Sequence, residues 1–217
     1  MSAALQFDDI RQCVTGDVPE VLAEIYRDHN NLVIWERSLN TQLLQFLEAR
    51  LAQGEKLNVT EEIITSKIPE QLDEIDQLNA WGSALSDDIA RMTEMFAYLF
   101  DIERVGLRIR TLDSAMCPRF HIDRVPCRFI TTYAGKGTQW LANHAVNRAM
   151  LGHASKGLPD DQSGLMKSAL DVQTMQAGDI ALLKGSAWEG NEHGAIVHRS
   201  PLLESGEKRL IMTLDFM

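Results

Sequence analysis

The sequence predicts an α+β fold, a helical layer on a β-barrel or sandwich. Three observations lead there. The hydrophobic period changes near residue 103, from helical spacing to alternation. The second part of the chain holds many short apolar runs separated by glycine-containing turns. No internal repeat or low-complexity segment interrupts either part. Helices followed by short strands are best satisfied by packing the one layer on the other. At 217 residues the chain suits one domain, or one domain with a helical extension. The expected division is a helical N-terminal region, residues 1–103, and a β-rich core, residues 104–217.

The elements follow in order. Pro19-Glu20 opens VPEVLAEIYRDHNN, where Val21, Leu22, Ile25 and Tyr26 mark one helical face. LVIWER is a short apolar run with strand character. Asn40 or Thr41 can cap TQLLQFLEARLA, whose Leu43, Leu44, Leu47 and Leu51 recur at helical spacing before Gly54 stops it. Pro69 starts a longer helical stretch through Leu78, Trp81 and Leu85, with Asp73, Glu74 and Asp76 as a solvated face. Ser86-Asp87-Asp88 is expected to cap IARMTEMFAYLFDIE. Its stripe of Ile89, Met92, Met95, Phe96 and Leu99 is expected in the core. Beyond residue 103, VGLRIRTL alternates apolar and basic residues, as a half-exposed strand does. CRFITTY is rich in β-branched and aromatic residues, and Ala134 to Gly137 turn into TQWL. Residues 142–170 read as a long polar loop with one helical turn. Its His144 and His153 are solvated or belong to a substrate lid. Ala177-Gly178-Asp179 turns into IALLKG, an irregular stretch leads to AIVHRS, and Gly206 turns into the last strand, RLIMTLDF.

Composition narrows the function classes. The chain is 45% hydrophobic and 24% charged, with a net charge of −10. Proteins that grip a phosphate backbone are usually basic, so no nucleic-acid partner is expected. No apolar run has the length to span a bilayer, so no membrane partner is expected. The start MSAALQFDDIRQC carries acidic residues where a signal peptide needs an apolar segment, which makes a cytoplasmic location the expectation. Cys13, Cys117 and Cys127 are too few and odd in number for a secreted disulfide framework. Nothing in the sequence sets the oligomeric state.

His121-Ile-Asp123, with His198 far along the chain, supplies the residue types of a 2-His-1-carboxylate facial triad. If Arg119 to Val125 is extended, His121 and Asp123 share one face and can hold one ion. Arg209 opens the last strand, where a permanent, forked cation could pair with a carboxylate. His193 is the alternative distal ligand, with His198 then behind it. The spacing to Arg209 favours His198. Cys117 and Cys127 flank the motif and with His121 could make a thiolate-rich zinc site, or be incidental thiols. Arg119, Arg124, Arg128 and Arg199 cluster around the motif. They are a solvated face or bind an anionic substrate, with Arg128 the substitute for Arg209. Trp140 and Trp188 are core residues or wall a pocket.

The order H-x-D, turn, long insert, Gly178-Asp179 strand, His198, Arg209 resembles the double-stranded β-helix of the iron(II), 2-oxoglutarate-dependent oxygenases, over residues 104–217. HIDRVPCRFITTYAGKGTQWL and VHRSPLLESGEKRLIMTLDF also resemble a bacterial family, the domain of unknown function 1826. The first resemblance implies a cupin- or jelly-roll-like barrel under the N-terminal helices. It implies iron(II) on His121, Asp123 and His198, and 2-oxoglutarate paired with Arg209. It implies no catalytic side chain beyond the metal centre, and hydroxylation or demethylation of a small-molecule or peptide substrate. Possible substrate or supporting residues are Arg128, Trp140, Trp188, His193 and Cys117. One departure is the gap between Gly178 and His198, longer than the superfamily usually shows. The reading from another class is a cupin-like, non-catalytic metal-binding protein holding zinc(II), which a His2Asp set near a thiol would also suit.

Overall fold

Alternation of core-facing and outward residues organises two sheets. The computed structural model describes residues 11–217. Most of the start read above for targeting lies outside them. In chain order the strands are β1 (Gln12–Gly16), β2 (Asn30–Trp35), β3 (Asn58–Ile64), β4 (Arg104–Leu112), β5 (Cys127–Ala134), β6 (Gln139–Leu141), β7 (Val172–Thr174), β8 (Ile180–Lys184), β9 (Val197–Arg199) and β10 (Arg209–Phe216). The main sheet has seven strands in the order β1-β2-β8-β5-β10-β4-β3, and the small sheet three, β7-β6-β9. All pairings are antiparallel except β1 with β2.

One face of the main sheet is apolar with period two. Val105, Leu107 and Ile109 of β4, Cys127, Phe129 and Tyr133 of β5, and Leu210, Met212 and Leu214 of β10 are all buried in the largest core. That core also holds residues of the helices α1 (Thr41–Ala52), α2 (Ile68–Asp73), α3 (Asp76–Asn79) and α4 (Ser83–Phe100). Ile89, Met92 and Phe96 of the α4 stripe are at most 1% exposed. Each such side chain is worth roughly 1.5–3 kcal/mol of burial. The other face meets the small sheet through Ile34, Ile130, Ala181 and Leu183, packed with Met175, Ile196 and Trp140. The result is a mixed α/β molecule with a large antiparallel sheet in a jelly-roll arrangement.

Several local readings change. The first 103 residues carry helices, but they also supply β1, β2 and β3 to the main sheet. In β3 only Val59 and Ile63 are buried, and their i,i+4 spacing imitates a helix. As the last strand of the sheet it needs only those two contacts, which leaves Glu61 and Glu62 exposed. VPEVLAEIY forms a 3-10 helix, Pro19–Tyr26. Asn40 does cap α1, accepting from the amides of Gln42 and Leu43. Ser86-Asp87-Asp88 caps nothing. α4 begins earlier, after Gly82 at φ 86°, and Asp88 lies inside it. The Asp88 carboxylate instead takes a two-pronged ion pair from Arg37, at 2.7 and 2.9 Å, and the Tyr133 hydroxyl at 2.8 Å. No helix among the described residues is long and apolar enough to cross a membrane.

Candidate metal centre

The H-x-D segment is not the extended strand expected. Pro118 and Pro126 bracket it, and it pairs only through one bridge. His121 and His198 exchange two backbone hydrogen bonds of 3.0 Å, which appends His121 to β9. The bend still brings three donors together. One ligand atom each from His121, Asp123 and His198 lies within 4.8 Å of the others. The imidazole rings are 4.6 Å apart between centroids. His121 Nε2 is 3.8 Å and His198 Nε2 3.5 Å from the Asp123 carboxylate.

Both tautomers are set from behind. His121 Nδ1 faces the Arg119 carbonyl at 2.9 Å, and His198 Nδ1 faces the Ile196 carbonyl at 3.3 Å. A carbonyl only accepts, so each Nδ1 carries the proton and each Nε2 offers its lone pair toward Asp123. Burial holds the His198 imidazole down at about 4, against the pull of Asp123, so it is neutral near pH 7. Two imidazole nitrogens and a carboxylate are the donor set a divalent ion takes.

Asp123 is itself oriented. Arg128 donates to its Oδ2 at 2.8 Å and forks onto Asp215 at 2.7 and 3.1 Å. The Asp123 carbonyl accepts from the Ser186 amide at 2.9 Å, and the Val125–Pro126 turn lies against Gly185, where a Cβ would come 2.0 Å from the Val125 oxygen. Gly185 thus lets the motif dock on the end of β8. From the long loop, buried Asp160 accepts from the Phe120 amide at 3.0 Å and from Arg199 at 2.9 Å.

Arg209 is the largest fully buried side chain among the described residues, at 0% exposure. Its Nη2 donates to Thr132 Oγ1 at 3.0 Å and Thr138 Oγ1 at 3.1 Å, while its Nε and Nη1 have no partner. No carboxylate pairs with it among the described residues. Burial lowers it to about 10, still charged at neutral pH. It shares a cavity of about 320 Å3 with His121, His198 and Arg128, walled by Ile130 and Ile211.

Comparison with known proteins now has a geometry to refer to. The family model described as a protein of unknown function (DUF1826) matches residues 16–215. The chain belongs to that family. No curated protein matches it. Solved structures share the fold of this DUF1826 protein at low identity. One is a Neurospora crassa protein in complex with alpha-KG and 5-formyluracil. It has 10% identity and a TM-score of 0.52, and the match covers 100% of this chain and 87% of that one. Another is the Arabidopsis thaliana dioxygenase for auxin oxidation 1 in complex with 2-oxoglutarate. It has 9% identity and a TM-score of 0.50, with 96% and 92% covered. The DUF1826 chain thus resembles in fold one protein described as a dioxygenase with 2-oxoglutarate and one described with alpha-KG.

The remaining sequence candidates separate. Cys117 lines the cavity. His193 is exposed and stands outside the His121, Asp123, His198 cluster. Trp140, on β6 opposite His198, packs between the sheets rather than lining the cavity. Trp188 is no part of the cavity wall either. Its ring meets Tyr26 and Phe100, and Lys184 Nζ sits 4.6 Å from its centre. Cys127 points into the helix-side core, where burial pushes its thiol well up, so it cannot join Cys117 on zinc. Asp160, Gly185, Thr132, Thr138 and Asp215 carry no motif. Only the alternation of β10, which turns residues 209 and 215 to one face, hinted at any of them.

Proposed function

We propose that this protein is a non-haem iron(II), 2-oxoglutarate-dependent oxygenase of a small-molecule or peptide-like substrate, with residues 104–217 as its metal-holding core under the N-terminal helices. The observation that carries the reading is Arg209. A buried guanidinium with two unbonded N–H-bearing nitrogens is costly and is retained where an anion is to be held. It lies in the same cavity as the two histidines. A metal carrier has no use for such a group at that place. The same-fold proteins described with 2-oxoglutarate or alpha-KG support the choice of co-substrate.

In this reading His121 Nε2, His198 Nε2 and an Asp123 oxygen would hold iron(II), and the Arg209 guanidinium would pair with the far carboxylate of 2-oxoglutarate. Thr132 and Thr138 hold the guanidinium in place through Nη2. Bound there, the pair would couple oxidation of a substrate by dioxygen to decarboxylation of 2-oxoglutarate to succinate. Arg128 holds Asp123 turned to the histidines. Ile130 and Ile211 supply an apolar part of a cavity wall that is otherwise largely polar.

The test is anaerobic loading with iron(II), then measurement of oxygen-dependent conversion of 2-oxoglutarate to succinate. Turnover that needs iron and disappears in Arg209→Ala supports the oxygenase. Tight zinc(II) binding with no turnover replaces it by the non-catalytic metal-binding reading.

A further inference from the structure

The cavity is far more basic than the chain around it. Arg108, Arg110, Arg128, Arg199 and Arg209 line it, and no Asp or Glu is among the lining residues. The chain as a whole is at −10. Three carboxylates reach these arginines: Asp123 and Asp215 on Arg128, Asp160 on Arg199. Asp215 is shared with Arg108, at a looser 3.6 Å. Two positive charges are left over. A divalent metal and a doubly charged co-substrate would cancel one another and leave that excess in place.

One of the two excess charges is Arg209. The other lies on β4. Arg108 and Arg110 occupy the face of β4 opposite its apolar residues, so the alternation aims both at the cavity side of the sheet. The pairing of β4 with β10 sets Arg110 opposite Ile211 and Arg108 opposite Thr213, one strand away from the Arg209 row. Arg110 is anchored by neutral groups only. It donates to the carbonyls of Val59 at 2.6 Å and Ile109 at 2.9 Å, and to the Thr60 hydroxyl. Among the described residues no carboxylate forms an ion pair with it. Neutral acceptors fix its position and leave its charge unspent. A fixed, uncompensated cation on a cavity wall is what recognises an anion.

We propose that the substrate is a small acid, and that Arg110 and Arg108 hold its carboxylate or phosphate group at the β4 side of the cavity, across from the co-substrate position at Arg209. The proposal rests on the oxygenase reading for the identity of the other occupants, and the site itself does not require metal.

The probe is methylphosphonate, with its neutral dimethyl ester as control. Each is titrated calorimetrically into protein loaded with manganese(II) and saturated with 2-oxoglutarate, so that Arg209 is occupied. Saturable binding of the anion and none of the ester is expected. Arg108→Gln with Arg110→Gln should weaken the anion at least about tenfold, the scale of losing a charge-assisted pair. Arg110→Lys should recover part of it. Arg108→Gln alone, at an exposed position, covers the case in which the double variant misfolds. A parallel titration with propionate assigns the preferred group, carboxylate if it binds tighter and phosphate if not. Equal binding of the ester, no saturable binding, or affinity untouched by the β4 substitutions overturns the proposal. Loss only in Arg209→Gln also overturns it, since the anion then sits at the co-substrate end. Failure of the wild type to hold manganese is failure of the metal reading instead. The same titrations on metal-free protein then decide the anion site.

Discussion

Asp123 and Arg209 separate two functions of one cavity. Asp123 is the anionic member of the proposed ligand set. Asp123→Ala leaves two imidazoles and frees Arg128 to repel a cation. Calorimetric titration with manganese(II), stable to oxygen, should show binding abolished. Undiminished affinity would move the metal elsewhere, and Cys117 in the same cavity would be the next residue to replace. Arg209 touches neither imidazole nor Asp123. Arg209→Ala should weaken 2-oxoglutarate by roughly 2–4 kcal/mol, the scale of removing one partner of a desolvated charged pair. Manganese affinity in the same variant should stay within about twofold, below what a lost ligand costs. A variant that loses both together would make Arg209 a structural support rather than the co-substrate's partner.

At the scale of elements, two junctions position the site from a distance. Gly185 ends β8 where the motif's turn closes on it, and Ala there would place a Cβ 2.0 Å from a backbone oxygen. Neither backbone can yield cheaply. Gly185→Ala should therefore displace the turn holding Asp123, and weaken manganese binding about 10–100-fold, as loss of support behind a ligand does. Circular dichroism should still report the native sheet. Wild-type affinity in this variant would mean that the Asp123 turn tolerates displacement. The second junction is the Arg37–Asp88–Tyr133 network, which ties α4 to β5, with Arg37 Nε also on the Gly178 carbonyl at 2.9 Å. Both charged side chains are about nine-tenths buried. Asp88→Ala leaves a buried guanidinium without its carboxylate and should cost about 3–5 kcal/mol in urea unfolding. Manganese affinity of the folded fraction should not change. A cost under about 1 kcal/mol would mean the network is solvated.

The whole molecule carries a pH dependence through His198. Its folded value lies near 4, against 6.5 for the free side chain. Between those values the unfolded chain binds a proton that the folded chain does not. Stability of the metal-free protein should therefore fall as pH drops from about 6.5 toward about 4, and be insensitive to this group above that window. Melting temperatures of wild type and His198→Gln across the window isolate the contribution, because the carboxylates common to both cancel. Parallel profiles would show that His198 is not held neutral. Added manganese should steepen the wild-type profile, since protons and metal compete for the same nitrogen.

Local chemistry was readable without a structure. The alternation of VGLRIRTL and RLIMTLDF, the Asn40 cap and the α4 stripe each depend on neighbours within a few residues, and the folded chain has all of them. The residue types of the triad were legible for the same reason, since H-x-D and a distant histidine are few in kind. What the sequence left open was long-range. The sequence preferred His198 to His193 only by its spacing to Arg209, and the bridge that sets His198 beside His121 joins residues far apart. The isolation of Arg209 came from what three strands do not place beside it, and the removal of Trp188 from the cavity came from the face its neighbours take. The strand β3 was hidden because an edge strand with two buried residues has no alternation to read. Periodicity and capping are properties of a segment, so the sequence determined them by itself. Pairing, burial and unspent charge are properties of what lies across the sheet, and only the tertiary structure decided those.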